Sequence, residues 1–302
     1  MRFTHQQLSA MSQPASDTEE EKLDRARKLF FDAIKGTQVA QTCDVFGKGS
    51  YHNNTNIRLN SDIDICVCYR PTFKFRLPNG DHPKNHDIDV VSETYTYDKF
   101  KQDLYQILTD KFGKDNVVLK NKCIHVKENT YHSELDVVPS WYHRSYLSSN
   151  SNIYNEGVIL WTPSGESVLN YPKQHYNNGV AKNRATRKRY KCCVRIIKNL
   201  KVKMAEDGYY VNENVSSFLL ESLVYNFPNS NFLYDEDIYD WNDIIRSFII
   251  SFWNGSKEDK NDWKTWTEVS GLLPLMSNHK WKREDVHEFM LKLWNYLQYS
   301  TK

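Results

Sequence analysis

The chain has 302 residues, of which 39% are hydrophobic and 26% charged, so it can bury a substantial core and is not an intrinsically disordered protein. Its formal net charge of only +2 excludes strong overall attraction to nucleic acid or to acidic membranes. No apolar run approaches the roughly 20 residues that cross a bilayer, and the N-terminal stretch turns acidic, unlike a signal peptide. We therefore expect a cytoplasmic monomer whose six cysteines are reduced.

The front half of the chain alternates between helical and strand patterns. The sequence GKGS at 47–50 predicts a turn, and the Pro- and Gly-containing stretch 70–90 predicts a loop or a hairpin insertion. The other predicted elements are, in chain order, a helix over 17–34, strands over 43–46 and 64–69, a helix over 97–112, and strands over 117–119, 123–126 and 134–138, the last ended by Pro139.

After Trp141 the pattern changes. Residues 143–183 are rich in Ser, Asn, Gly and Pro, which predicts irregular structure. Helical periodicity follows over 184–206, 216–226, 236–254 and 284–299. We therefore predict an α+β protein with two lobes, a mixed sheet flanked by helices over 1–183 and a helical domain over 184–302. A cleft between two such lobes is a preferred place for a ligand.

Two carboxylates, Asp62 and Asp64, stand one residue apart at the start of an apolar strand. Side chains at i and i+2 of a strand point to the same side, so both can converge on one point. Their mutual repulsion is removed by a divalent cation, and Mg²⁺ prefers one or two carboxylates together with substrate phosphates. Gly49 lets the backbone approach a phosphate closely, and Ser50 offers a hydroxyl and an N–H to hold it.

A third acid is needed if two metal ions are to bracket the attacking and leaving oxygens of an in-line displacement. Asp136 is the predicted third ligand, because it lies within the apolar strand 134–138, where an unpaired charge is costly. Glu134 shares its face and is the alternative. A competing pair, Asp87 and Asp89, repeats the D-I-D pattern without a preceding Gly-Ser, and we interpret it as a solvated loop pair.

The arrangement G-S-x(11)-D-I-D, followed by an aspartate on a later strand that ends in Pro, resembles the polymerase-β-like nucleotidyltransferase superfamily. Three further stretches are similar to the bacterial cGAS/DncV-like nucleotidyltransferases, the CD-NTases. They are EGVILWTPSGESVLNYPKQHYNNGVAKN at 156–183, TRKRYKCCVRIIKNLK at 186–201 and SSFLLESLVYNFP at 216–228. The resemblance covers roughly residues 40–230.

This resemblance implies a polymerase-β-like core and a helical domain like that of oligoadenylate synthase. It implies an enzyme that needs two Mg²⁺ ions, with Mn²⁺ as a possible substitute, and that condenses NTPs into a cyclic di- or trinucleotide with release of pyrophosphate. In this family such a product is a second messenger of CBASS anti-phage defence and acts on a separate effector protein. Two alternatives stay open: a nucleotidyltransferase that modifies a tRNA, a protein or a small hydroxyl compound, and a catalytically inactive nucleotide or RNA sensor.

The resemblance also implies roles for single residues. Gly49 and Ser50 would hold the donor triphosphate, and Asp62, Asp64 and Asp136 would be the catalytic metal ligands. In the helical half, Lys198 looks like the family lysine that reaches the triphosphate. Ser217 looks like a serine that contacts phosphate or base, and its predicted position at a helix N-terminus suits an anion. Phe218 stands where relatives carry an aromatic that stacks on a base, although a core position explains it equally well.

Residues 182–203 carry basic side chains and no acidic one. Arg195 and Lys198 are three residues apart and therefore lie on one face of the predicted helix, from which both could reach a triphosphate. The other basic residues could bind a polynucleotide activator, in which case binding would weaken steeply with salt. The same alternation of apolar and basic residues also suits an ordinary solvated helix face.

Overall fold

The structure, a computed structural model, describes residues 1–57, 62–89, 95–149, 151–233, 239–276 and 281–300, with Asp17 described by its backbone alone. The chain divides into two compact units. The first, here called the helical unit, consists of Met1–Pro14, Asn54–Ile57 and Lys173–Lys302. The second, the sheet unit, consists of Ala15–Asn53 and Arg58–Pro172. The division predicted at residue 183 stays a prediction.

Both units contain α-helices, and most of these helices belong to the helical unit. Within the described residues the α-helices are α1 (His5–Met11), α2 (Asp17–Ile34), α3 (Gln38–Thr42), α4 (Gly49–His52), α5 (Tyr97–Phe112), α6 (Pro172–Ala185), α7 (Arg189–Glu206), α8 (Ser217–Asn226), α9 (Trp241–Gly255) and α10 (Arg283–Tyr296). Side-chain caps fix several of their starts. Ser16 and Glu19 form a reciprocal capping box before α2, and Thr96 and Ser216 accept backbone N–H bonds at the starts of α5 and α8.

The sheet unit is built on one mixed sheet. Its described strands are β1 (Cys43–Lys48), β2 (Ile63–Arg76), β3 (Val117–Leu119), β4 (Ile124–Val126), β5 (Leu135–Tyr146), β6 (Tyr154–Trp161) and β7 (Ser167–Asn170). The order is β1-β2-β5-β4-β3, and β6 joins the later half of β5 and carries β7 on its other edge. Only β2 and β5 run parallel; the other pairs are antiparallel. With its helices this sheet confirms the predicted α+β class.

The alternation of side chains along β2 separates the core from the polar face of the sheet. Ile63, Ile65 and Val67 join one buried cluster with the apolar stripe of α5, at Phe100, Leu104 and Leu108. Asp64, Cys66 and Cys68 therefore point to the opposite face, where the two cysteines pack against Val158. Burial of the apolar set on one side thus forces the acidic set onto the other.

Several elements extend beyond their predicted bounds. Helices α2 and α5 match the prediction, whereas residues 143–183, predicted to be irregular, contain the end of β5, strands β6 and β7, and helix α6. The prediction that Pro139 ends its strand is wrong. Along β5, the pairing with β4 stops at Val137 and the pairing with β6 starts at Trp141, so among the described strands none pairs with Pro139 on that side of β5, and a residue without an N–H is tolerated there. The start of the predicted helix 236–254 lies partly outside the described residues.

The helical unit has its own core. Helices α7, α8, α9 and α10 contribute side chains that are fully buried, such as Ile196, Leu220, Phe248 and Phe289, and Leu8 of α1 joins them. Among the described helices, none combines the length and the apolar composition needed to cross a bilayer. All six cysteines are free thiols.

Candidate active site

Four polar side chains form a row across the sheet, here called the charged row. Lys48 of β1 pairs in register with Asp64 of β2, Asp64 pairs with Asp136 of β5, and Asp136 pairs with His125 of β4. Residues in register on adjacent strands project from the same face of a sheet. The row therefore presents two neighbouring carboxylates with a cation at one end and an imidazole at the other.

Asp62 lies two residues before Asp64 and shares its face. Burial raises the pKa of Asp64 to about 6, and repulsion by Asp62 and Asp136 adds to this against the opposing effect of Lys48. Burial also raises the pKa of Asp62, with Asp136 again contributing repulsion. Three carboxylates, those of Asp62, Asp64 and Asp136, therefore come together at the start of β2 and β5, as the sequence predicts. Their negative charges repel one another when all three are ionised.

Gly49 packs directly on this carboxylate group. Its φ of +72° is in the left-handed region, and a Cβ added there would lie 1.8 Å from Oδ2 of Asp64. Only glycine satisfies both the conformation and the contact. The turn predicted over 47–50 is partly wrong, because Gly47 and Lys48 complete β1 while Gly49 and Ser50 open the short helix α4. The backbone at 49–50 is nevertheless brought to the carboxylates.

Asp136 rather than Glu134 occupies the row beside Asp64. Its Oδ1 accepts a hydrogen bond of 2.7 Å from Nδ1 of His125 and lies 3.8 Å from Nζ of Lys120. Glu134 is half-exposed, with its Oε1 3.8 Å from Nε2 of His125. Our sequence reasoning missed His125, although the pattern Ile124-His125-Val126, a polar side chain between two buried ones, could have indicated it.

The donor set suits a hard divalent cation completed by a substrate. Within the described part of the chain, no three His, Cys, Asp or Glu side chains are arranged to hold a metal ion by themselves. Mg²⁺ does not require such a closed cage, because it typically binds one or two carboxylates and takes its other ligands from water and phosphates. Carboxylates whose pKa values are raised by burial, and further by mutual repulsion, are the groups that such a cation stabilises in their ionised form.

Arg195 and Lys198 share one face of α7, as predicted, but the structure gives them partners within the helical unit. Lys198 is buried, with Nζ 2.9 Å from Oε2 of Glu221 and 3.0 Å from the carbonyl oxygen of Thr55. Arg195 donates to the carbonyl oxygens of Ser12 and Asn54. Both cations therefore hold the segment Asn54–Ile57, which follows the Gly49–Ser50 backbone in the chain.

Glu221 is the centre of this buried cluster. It accepts hydrogen bonds from Thr55 Oγ1 at 2.8 Å and from Lys198, and its other oxygen lies 3.0 Å from Nε2 of His175. Burial alone would raise the pKa of Glu221, but Lys198 and His175 outweigh it and hold the pKa well below its usual range. We call Lys198, Glu221, His175 and Thr55 the buried ion-pair cluster.

Ser217 and Phe218 open α8. Ser217 is exposed at the first turn, as predicted, while the cap itself is made by Ser216. Phe218 is half-buried and stacks on Trp281, with ring centroids 5.6 Å apart and an interplanar angle of 13°. This packing matches the core interpretation of Phe218, and the predicted nucleotide contacts of both residues stay predictions.

The basic stretch 182–203 is mostly internal. Lys182 and Arg189 donate to the backbone oxygens of Phe227 and Phe232, and Arg195 and Lys198 are buried as described. Among the basic residues of this stretch, Arg184, Arg187 and Lys188 are exposed, and the others are buried or half-buried. The competing acids Asp87 and Asp89 are also exposed, and Asp87 accepts from the amide of Asn152. Binding of a polynucleotide activator stays a prediction, and these three exposed basic side chains are the surface that this stretch offers for it.

Comparison with known proteins gives consistent matches over the whole chain. Residues 177–298 match the family model of the cGAS/DncV-like nucleotidyltransferase C-terminal helical domain. The chain is 42% identical to the cyclic dipyrimidine nucleotide synthase CdnE of Cecembia lonarensis over 99% of both chains, and 37% identical to that of Legionella pneumophila over 95% of both. The structure of Elizabethkingia meningoseptica CdnE cyclic dinucleotide synthase with GTP and Apcpp aligns with a TM-score of 0.80 at 32% identity, covering 98% of this chain and 100% of that one.

Proposed function

The chain belongs to the cGAS/DncV-like nucleotidyltransferases, and from that premise we propose that it joins two pyrimidine nucleoside triphosphates into a cyclic dinucleotide. It is a nucleotidyltransferase and a cyclic oligonucleotide synthase, and neither a modifying enzyme of other acceptors nor an inactive sensor is favoured. The choice of pyrimidines is supported by the names of the Cecembia and Legionella relatives, which match this chain over nearly its full length.

The observation that carries the proposal is the convergence of Asp62, Asp64 and Asp136 against Gly49. In each of two steps, a ribose hydroxyl of one nucleotide attacks the α-phosphorus of another, and the bond from that phosphorus to pyrophosphate breaks. The hydroxyl proton must leave as the new bond forms, and the carboxylate of Asp136 is our candidate to accept it. Asp62 and Asp64 would hold Mg²⁺, with Mn²⁺ as a substitute, and the cation would stabilise charge on the phosphate oxygens.

Gly49 and Ser50 are assigned to the donor triphosphate. Because Gly49 has no side chain, its backbone can lie directly against Oδ2 of Asp64, where a cation bound by Asp64 would meet the triphosphate, and Ser50 adds a hydroxyl next to it. Arg195 and Lys198 are assigned to nucleotide binding by the family resemblance, and within the helical unit they hold the segment Asn54–Ile57.

The family context supports a role as a signal producer. CD-NTases make second messengers in CBASS anti-phage defence, and a cyclic dipyrimidine made here would act on a separate effector protein. We place the enzyme in the cytoplasm, where its NTP substrates are, and expect it to work as a monomer.

The first experiment is to incubate the purified protein with each pair of NTPs and Mg²⁺, treat the mixture with phosphatase and identify resistant products by mass spectrometry. We expect a cyclic dinucleotide from UTP, CTP or both, and none from the Asp64→Asn variant. The matched control changes the other D-I-D pair, Asp87→Asn with Asp89→Asn, and should leave the product unchanged. A purine-only product would overturn the pyrimidine assignment, and a phosphatase-sensitive linear product would overturn cyclisation.

A further inference from the structure

His125 stands at the end of the charged row, outside the set of residues assigned to the reaction. It is in register with Asp136 across β4 and β5, so their side chains leave the same face of the sheet side by side. Ile124 and Val126 flank it in the chain and are fully buried on the other face. The imidazole is therefore held on the polar face by the packing of its own strand.

The contact between His125 and Asp136 is specific. Nδ1 lies 2.7 Å from Oδ1, and His125 is only 8% exposed. A carboxylate accepts hydrogen bonds, so Nδ1 carries the hydrogen. Nζ of Lys120 approaches the same Oδ1 at 3.8 Å. His125 thereby fixes one carboxylate oxygen and leaves the other, Oδ2, outside its hydrogen bond.

Asp136 needs such a partner because of its neighbours. Asp64 is in register with it on one side, and Asp62 is close enough for Asp136 to raise its pKa. Repulsion from these two carboxylates would favour rotation of the Asp136 side chain away from them. A hydrogen bond on the opposite side, from a buried ring that cannot swing out, selects the single orientation in which Oδ1 faces His125, and it thereby fixes where the other oxygen lies.

We propose that His125 is a positioning residue that orients the carboxylate of Asp136 for the divalent cation and the attacking hydroxyl. This rests on the function proposed above. Partners that orient metal-binding groups commonly contribute 10- to 100-fold in metal affinity or activity. Lys120 is half-exposed and 3.8 Å away, so it adds charge but does not fix the orientation.

The test compares the Mn²⁺ affinity of three His125 variants. Mn²⁺ is titrated into each protein in the presence of a non-hydrolysable UTP analogue, and binding is detected by electron paramagnetic resonance. His125→Ala should weaken Mn²⁺ binding, and raise the Mg²⁺ concentration for half-maximal turnover, by roughly 10- to 100-fold. His125→Asn places an amide nitrogen near the position of Nδ1 and should restore most of the affinity. His125→Gln, whose amide matches Nε2 instead, should not.

The matched control is His132→Ala. His132 is also buried in the sheet unit, but its Nδ1 faces the carbonyl oxygen of Ser133 and not a carboxylate. Loss of folded protein affects both alanine variants, whereas weakened Mn²⁺ binding by the folded fraction should occur only for His125→Ala. Equal Mn²⁺ affinity of the folded His125→Ala and wild-type proteins would overturn the positioning role.

Asp64→Asn separates the two proposals. If it abolishes Mn²⁺ binding while His125→Ala leaves it intact, the role of His125 is wrong and the metal site stands. If Asp64→Asn binds Mn²⁺ like the wild type, the metal site at Asp64 is wrong and the role of His125 falls with it, whereas the proposed product is tested separately by the mass-spectrometric assay.

Discussion

Two groups of charged side chains that are shielded from water, one in each described unit, differ in how far their charges are compensated. In the helical unit, Glu221 is matched by Lys198 and His175, and its pKa is lowered. In the sheet unit, burial together with repulsion from Asp62 and Asp136 raises the pKa of Asp64 to about 6. The first group is complete within the chain, whereas the second has an excess of negative charge that a bound cation would remove.

The difference separates a structural role from a catalytic one. A buried pair with matched charges stabilises a particular packing, and removing one partner leaves an uncompensated charge. Like charges held together lower stability, and such strain is expected where a site must bind a cation. Substitutions should therefore have opposite effects on folding in the two groups.

The largest expected effect is on activity in the carboxylate group. Asp64→Asn should lower kcat by more than about 10³-fold, because several kcal/mol of transition-state stabilisation by a metal ion is lost. The same variant should fold more stably at pH 8. A carboxylate whose pKa rises from 3.8 to about 6 on folding costs up to roughly 3 kcal/mol once it is ionised, and asparagine does not ionise.

The sign of this effect can be checked with pH. The folded protein holds the proton of Asp64 more tightly than the unfolded chain does. The contribution of Asp64 to the free energy of unfolding therefore falls as pH rises from about 4 to about 6 and beyond. Denaturant unfolding at several pH values should show the advantage of Asp64→Asn at pH 8, shrinking through pH 6 and absent near pH 4. An Asp64→Asn protein less stable than the wild type at pH 8 would contradict the interpretation.

Next in size is the loss of stability in the buried ion-pair cluster. Lys198→Met leaves Glu221 buried without its ammonium partner and should lower the free energy of unfolding by about 3–5 kcal/mol. Adding Glu221→Gln should recover part of this loss, so that the double variant costs less than the sum of the single ones. Urea unfolding measures both.

Lys203→Met provides the control for the Lys198 series. Lys203 lies on the same helix, is half-buried and is not part of the cluster, so its replacement should cost less than about 0.5 kcal/mol. Equal losses for the two lysines would show that Lys198 acts only through helix packing.

Gly49→Ala tests the contact between the backbone and Asp64. The added Cβ meets Oδ2 of Asp64 and requires that carboxylate to move, so turnover should fall by roughly 10²-fold. Gly36→Ala is a matched control, because Gly36 has a φ of +78° and nothing within 4 Å of an added Cβ. It should show only the conformational cost of about 1–2 kcal/mol, without loss of turnover. Equal turnover in the two variants would contradict the contact.

The smallest effect is competition between protons and the cation at Asp64. With a pKa of about 6, the Mg²⁺ concentration for half-maximal turnover should be unchanged between pH 8 and pH 7, rise about twofold at pH 6 and roughly tenfold at pH 5. Initial rates measured against Mg²⁺, corrected for protonation of the triphosphate itself, test this. A half-saturation value independent of pH would contradict a metal ligand at Asp64 with a pKa of about 6.

Much of the carboxylate group could be predicted from the sequence, because its signal is local. Asp62 and Asp64 on a strand must share a face, and Asp136 within an apolar strand is costly without a partner. The register that aligns Asp64, Asp136 and His125 could not be predicted, because it depends on strand pairings between segments distant in the chain.

In the helical unit, the contacts of the basic residues could not be predicted from the sequence. The sequence correctly places Arg195 and Lys198 on one face of a helix, but periodicity does not say what that face meets. Thr55 and Glu221 lie 143 and 23 residues from Lys198 in the chain. Likewise the strands over 143–183 carry turn-forming residues, and their pairing with β5 overrides that local tendency.

The path of the chain through residues 54–57 constrains how this protein can be recombined with its relatives. The chain passes from one unit to the other after residues 14, 53, 57 and 172. A graft of residues 173–302 alone would separate Lys198 and Glu221 from Thr55, and Arg195 from Ser12 and Asn54. Exchange between relatives should therefore succeed only when the N-terminal fourteen residues, the 54–57 segment and helix α7 are inherited together.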